Sequence, residues 1–143
     1  MILCDSGPLF AAAASNDAAH RECVDLFTGL RLAGRRLIVP QTVVAEVGYL
    51  LERWVGPDLE AAFLQAIGEG DFEVANLEPQ DFLRMAELVK RYDDLPLGTT
   101  DASVIALTER LDVREVATLD RRHFTVVRPS HVDAFTLLPE LTF

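Results

Sequence analysis

Val116-Ala117-Thr118-Leu119-Asp120 is an apolar run closed by an acid, and it repeats the pattern on which the chain begins, Met1-Ile2-Leu3-Cys4-Asp5. Runs this short and this apolar, bounded by turn residues, read as strands covered on both faces, the environment of a parallel sheet. Leu37-Ile38-Val39 and Phe72-Glu73-Val74-Ala75 supply two more, and stretches of helical period fill the intervals. Strands alternating with helices of this length indicate an α/β fold, three α/β/α layers around a parallel sheet of four to five strands.

The helical stretches can be placed one by one. Material from Pro8 to Leu30 is broken near Ser15-Asn16, where Asn16 or Asp17 can cap the second piece. Gln41 to Val55 sets Val43, Val47, Leu50 and Trp54 on one face, and Pro57 opens a helix to Ile67 that Gly68 and Gly70 end. Pro79 to Tyr92 puts Phe82, Met85, Leu88 and Val89 on one side, and a loop from Asp93 to Gly98 follows. Thr99 or Thr100 caps the helix to Leu111, and Thr125-Val126-Val127 is expected as a short fifth strand. No repeat, low-complexity tract or linker divides the chain, so a single domain over 1–143 is expected.

With 143 residues, half of them hydrophobic, there is enough apolar material for a core without staples. Cys4 and Cys23 form no CxxC pair, which supports neither a disulfide framework nor a zinc cage and points to a reducing cytoplasm. No run approaches the roughly 18 apolar residues that span a bilayer, so a soluble protein without membrane attachment is expected. The net charge of −10 opposes broad phosphate binding, yet every basic residue except Lys90 is Arg, and several cluster: Arg31, Arg35 and Arg36, then Arg121, Arg122 and Arg128. Arg stacks on bases and grips phosphate in bidentate fashion, so a basic rim around an acidic centre is compatible with that charge. For any one of these Arg residues, a solvated surface position is an equally good reading.

The acidic centre comes from four positions. In an open parallel sheet, ligands bind beyond the carboxyl ends of strands where strand order reverses, and Asp5 and Asp120 stand at such ends. Glu46 borders the apolar stripe of its helix, three residues after Val43 and four before Leu50. Asp101 precedes Val104, Ile105 and Thr108 at helical spacing, on the inward face near a helix start. Singly, each has a plainer reading: Asp101 as a first-turn acid, Glu46 as an exposed rim residue, Asp120 as a turn residue and Asp5 as an Asx-turn former with Ser6. Jointly, all four would have to occupy inward or strand-terminal places by accident.

If they converge, each pair at about 4 Å repels by roughly 4 kcal/mol at an effective dielectric of about 20. Protons or cations must then enter, and oxygen ligands select Mg²⁺, with Mn²⁺ able to substitute, over zinc. Carboxylate-bound metal can activate water and neutralise a leaving phosphate oxygen, which is nuclease chemistry. Ser6 and Thr118 are placed to hydrogen-bond the ligating acids. His123 is near by sequence, but metal-assisted phosphodiester cleavage does not require it.

These residues resemble the PIN-domain family, and within it the VapC-type toxin ribonucleases of bacterial type II toxin-antitoxin pairs. The likeness is carried by Ile2-Leu3-Cys4-Asp5-Ser6, Val44-Ala45-Glu46-Val47, Leu95-Pro96-Leu97-Gly98-Thr99-Thr100-Asp101-Ala102 and Ala117-Thr118-Leu119-Asp120-Arg121-Arg122-His123-Phe124, and it spans nearly the whole chain. The resemblance implies a Mg²⁺-dependent endoribonuclease with catalytic and metal-binding residues at Asp5, Glu46, Asp101 and Asp120, working as a homodimer inhibited by a small cognate antitoxin. Asp94 falls at a recurrent family position and reads as a loop acid or an auxiliary group. Two other classes remain open: a catalytically silent binding module, using Pro8 to Ala14 or Phe135 to Phe143 as a partner surface, and a receiver-type phosphoacceptor domain. The latter needs a Lys at a late strand end, whereas Lys90 falls mid-helix.

Overall fold

The computed structural model describes residues 1–141. Five strands, β1 (Ile2–Cys4), β2 (Leu37–Pro40), β3 (Glu73–Ala75), β4 (Glu115–Ala117) and β5 (Thr136–Leu138), form one sheet in the order β3-β2-β1-β4-β5. Every pairing is parallel. Successive side chains of a strand point to opposite faces, so the complete burial of Ile2, Leu3 and Cys4 means that β1 is covered on both sides. The chain steps outward from β1 to β2 and β3, then returns to the other side of β1 for β4 and β5. Strand order therefore reverses between β1 and β4, the switch point at which the sequence places Asp5 and Asp120.

Seven helices connect these strands: α1 (Ser6–Ala13), α2 (His20–Leu32), α3 (Gln41–Trp54), α4 (Pro57–Gly68), α5 (Pro79–Arg91), α6 (Thr99–Leu111) and α7 (Arg121–Val126). Helix α6 is buried continuously from Ala102 to Thr108, because it packs at once on α5, α3 and the central strands β1 and β2. A helix apolar all round is stable only in such a position. Ser103 donates to the Thr100 carbonyl at 2.6 Å, so the 2.6 Å bond between Thr42 and Ser103 has Thr42 as donor. This pair, with Ser103 buried and Thr42 half-buried, fastens α3 to α6 one turn before Glu46 and two residues beyond Asp101.

Several expectations are corrected. Thr125-Val126-Val127 is not a strand: Thr125 and Val126 end α7 and Val127 is its C-cap, while the fifth strand is Thr136–Leu138. The β-branched residues are overridden because Asp120 caps a helix that drives Phe124 and Val127 into the core. Strand β4 ends at Ala117, so Asp120 follows a short extension instead of closing the strand. In α3 the buried row is Val43, Val47 and Leu51, and Trp54 lies 68% exposed at the helix end with the Arg53 guanidinium over its ring. In α5 Met85 and Leu88 face inward as expected, but Phe82 and Val89 are exposed. Helix α1 begins at Ser6, two residues before Pro8, and α2 at His20 after the N-cap Ala19. Gly98, not a threonine, is the N-cap of α6. The expected partner segment Phe135 to Phe143 contains β5, and its last two residues lie outside the described ones.

Candidate active site

Asp5 leaves β1 directly into α1. Its Oδ1 accepts from the Ser6 amide at 2.8 Å, and its Oδ2 accepts from the Thr118 hydroxyl at 2.8 Å, so both carboxylate oxygens are held. The Thr118 oxygen in turn accepts from the Asp120 amide at 3.0 Å, which ties the extension of β4 to the end of β1. Glu46, half-buried on α3, accepts a 2.5 Å bond from the Ser6 hydroxyl through Oε2. The two hydroxyls expected beside the acids, Ser6 and Thr118, thus both contact them.

Asp101 lies in the first turn of α6, and Asp120 caps α7, its Oδ1 accepting from the His123 amide at 3.1 Å. One turn into α7, His123 brings Nδ1 to 2.5 Å from Asp101 Oδ2 and 2.9 Å from Asp120 Oδ2. Ligand atoms of Asp101, Asp120 and His123 all lie within 4.8 Å of one another. The sequence reading placed His123 near the site but left it without a role, because metal-assisted phosphodiester cleavage does not require a histidine. The signal was its place three residues after Asp120, legible only once Asp120 is recognised as a helix cap. Asp94, by contrast, is exposed in the turn after α5 and makes no hydrogen bond or ion pair among the described residues.

The acids share one electrostatic field. Burial pushes the Asp5 carboxyl up to about 6, with the Asp101 and Glu46 charges adding to it and the Ser6 amide and Thr118 hydroxyl opposing it. Burial likewise raises Asp101, against the His123 contact and with further help from Asp120 and Glu46. The Cys4 thiol next to them is driven up by burial and by Asp5, so it stays protonated and serves packing.

What the cluster lacks decides its chemistry. Asp81, as buried as Asp5, rests on Arg110 at 3.0 Å, and Glu109 rests on Arg84 at 2.7 Å. Among the described residues no Lys or Arg pairs with Asp5, Glu46, Asp101 or Asp120; the single basic contact is His123. Buried acids without a cation are costly, and oxygen-rich donors of this kind fit a divalent ion. A receiver-type site would need a lysine here, and Lys90 instead ends α5 on the surface.

A family model described as PIN domain matches residues 2–128. Over 130 residues the chain is 37% identical to Ribonuclease VapC26 of Mycobacterium tuberculosis (strain ATCC 25618 / H37Rv), covering 91% of this chain and 92% of that protein. In fold it is similar to the crystal structure of Mycobacterium tuberculosis VapC20, a toxin that cleaves the sarcin-ricin loop, with a TM-score of 0.76 at 18% identity, covering 93% of this chain and 99% of that one. It is also similar to VapBC2 of Rickettsia felis bound to promoter DNA, with a TM-score of 0.65 at 13% identity over 96% of this chain and 97% of that one. A further similar fold is FitAcB of Neisseria gonorrhoeae, with a TM-score of 0.59 at 15% identity over 96% of both chains.

Proposed function

The chain belongs to the PIN-domain family, and from that premise we propose that residues 1–143 form one nuclease domain, an endoribonuclease that acts as the toxin of a toxin–antitoxin pair, with its site at Asp5, Glu46, Asp101 and Asp120. The observation that carries this reading is the contrast between these acids, which lack any Lys or Arg partner among the described residues, and Asp81, which is as buried as Asp5 and has one. Mg²⁺, with Mn²⁺ able to substitute, would supply activation of water and relief of charge on the leaving oxygen.

The chain's own groups prepare that chemistry. Thr118 and the Ser6 amide fix both oxygens of Asp5, so this carboxylate is oriented before anything binds. Ser6 holds Glu46 by one oxygen and leaves the other available. The Asp5 side of the site is closed, whereas Asp120 is 38% exposed, so substrate approaches from the α7 side. There Arg122 is exposed and placed to contact a phosphate, whereas Arg121 spends its guanidinium on the Pro139 carbonyl.

A groove of about 370 Å³ between α1, α2 and α4, lined by Leu9, Ala13, Phe27, Phe63 and Phe72, supports an apolar antitoxin segment as partner. Of the segment Pro8 to Ala14, Pro8, Leu9, Ala11 and Ala14 are buried in the core, and Leu9, Ala12 and Ala13 also line this groove. The exposed strip Phe82, Leu83 and Val89 on α5 supports a homodimer contact. No helix among the described residues is long and apolar enough to cross a membrane. The test is RNA cleavage by Asp5→Asn and Asp101→Asn variants whose circular dichroism matches the parent. Loss of cleavage in both is expected, and undiminished cleavage by either refutes the assignment.

A further inference from the structure

His123 is the one nitrogen donor in a site otherwise made of carboxylates, and a single hydrogen bond accounts for only one of its two carboxylate contacts. A ring Nδ1 carries at most one hydrogen, yet two carboxylate oxygens face this nitrogen, at 2.5 Å from Asp101 and 2.9 Å from Asp120. One hydrogen cannot point well at both. Donor atoms at right angles around an ion bound at about 2.1 Å are separated by about 3 Å, which the 2.9 Å approach to Asp120 matches, while the 2.5 Å contact with Asp101 is of hydrogen-bond length and opens by about half an ångström to admit an ion. The ring is also anchored for this task, because the His123 amide is held by the other oxygen of Asp120 and the side chain is 19% exposed.

We propose that His123 Nδ1 is a metal ligand together with Asp101 and Asp120, which makes this a mixed nitrogen–oxygen centre that prefers Mn²⁺ or a later first-row ion to Mg²⁺. The inference rests on the reading of the acidic cluster as a metal site. Imidazole adds affinity for transition ions in the order of the Irving–Williams series and adds little for Mg²⁺, which favours oxygen. The other two histidines are engaged elsewhere, His20 through Nδ1 at the Ala11 carbonyl and His131 through Nε2 at the Val113 carbonyl, so a histidine signal from the metal is assignable.

The experiment is pulsed electron paramagnetic resonance on the full chain loaded with Mn²⁺, in natural-abundance and ¹⁵N-histidine-labelled forms, beside calorimetric titration with Mn²⁺ and with Mg²⁺. A histidine ¹⁴N modulation that converts to ¹⁵N on labelling is expected in the unsubstituted protein. It should vanish in His123→Gln, with Mn²⁺ affinity falling about 10- to 100-fold and Mg²⁺ affinity changing far less. Mn²⁺ that binds in a manner abolished by Asp101→Asn, but shows no histidine nitrogen coupling, overturns the ligand role while leaving the acidic site standing. Mn²⁺ binding that is absent, or indifferent to Asp101→Asn, overturns both. Because the labelling comparison uses the unsubstituted chain, a His123 variant that fails to fold does not rescue the proposal.

Discussion

Replacing Asp5 by Asn should end RNA cleavage and, without metal, make the protein more stable at neutral pH. The folded protein holds the Asp5 proton up to about pH 6, whereas an unfolded chain releases it near 3.9. Between those values the folded state binds more protons than the unfolded one, so stability falls as pH rises through this window and stays lower above it. A difference of about two units corresponds to about 3 kcal/mol at roughly 1.4 kcal/mol per unit. Asn cannot ionise and escapes this loss, but its amide meets the Thr118 hydroxyl that now donates to Asp5 Oδ2, which costs about 1 kcal/mol. The variant should therefore be more stable than its parent by about 2 kcal/mol at pH 7.5 and less stable by about 1 kcal/mol at pH 4.

Urea unfolding with a chelator present, across pH 4 to 7.5, measures this directly. Taking the difference between the two proteins at each pH removes the contribution of the other carboxylates. Adding Mn²⁺ at about 100 times its dissociation constant should then raise the parent by about 2.7 kcal/mol and the variant by less. A stability difference that does not change with pH would show that Asp5 carries no raised carboxyl, and the electrostatic account of the site would fall with it.

Ser6→Ala removes the hydroxyl that holds Glu46 but keeps the amide that holds Asp5; kcat should drop about 10- to 100-fold with unfolding free energy within about 1 kcal/mol of the parent, read by a fluorogenic RNA assay and urea melts. Arg122→Ala should raise KM and lower the salt dependence of RNA binding by about one phosphate contact while kcat holds, as fluorescence anisotropy across a salt series would register. Asp81→Ala leaves Arg110 without its buried partner and removes the capping box of α5; a loss of about 3 kcal/mol is expected by thermal or urea unfolding, with the cleavage chemistry intact in the folded fraction.

The central strands and the clustering of Asp5 with Asp120 were legible because two physical regularities reach that far: strands buried on both faces are apolar throughout, and binding groups gather where strand order reverses. Asp101 was legible through helical period, since Val104 and Ile105 fix its inward direction. Helix α7 was not, because Thr125 and Val126 favour strands, and only the cap at Asp120 and the room for Phe124 in the core decide otherwise. The nearness of His123 to the site along the chain was legible, but its contact with Asp101 was not, since that depends on the same turn of helix. The Thr42–Ser103 bond between α3 and α6 has no local signal at all; hydroxyl pairs across elements follow from tertiary packing. Trp54 was misplaced because helical period names a face without saying where the sheet beneath it stops.

The bond from Thr118 to Asp5 spans 113 positions of the chain. During synthesis, Asp5 leaves the ribosome first and waits through most of translation before its hydroxyl partner, Asp101 and Asp120 exist. Polypeptides that end prematurely, or that are still tethered to the ribosome with β4 inside it, therefore lack half of the carboxylate cluster. A chain that has not yet reached β4 thus carries an Asp5 carboxylate with neither its Thr118 donor nor its Asp120 neighbour, and no assembled site.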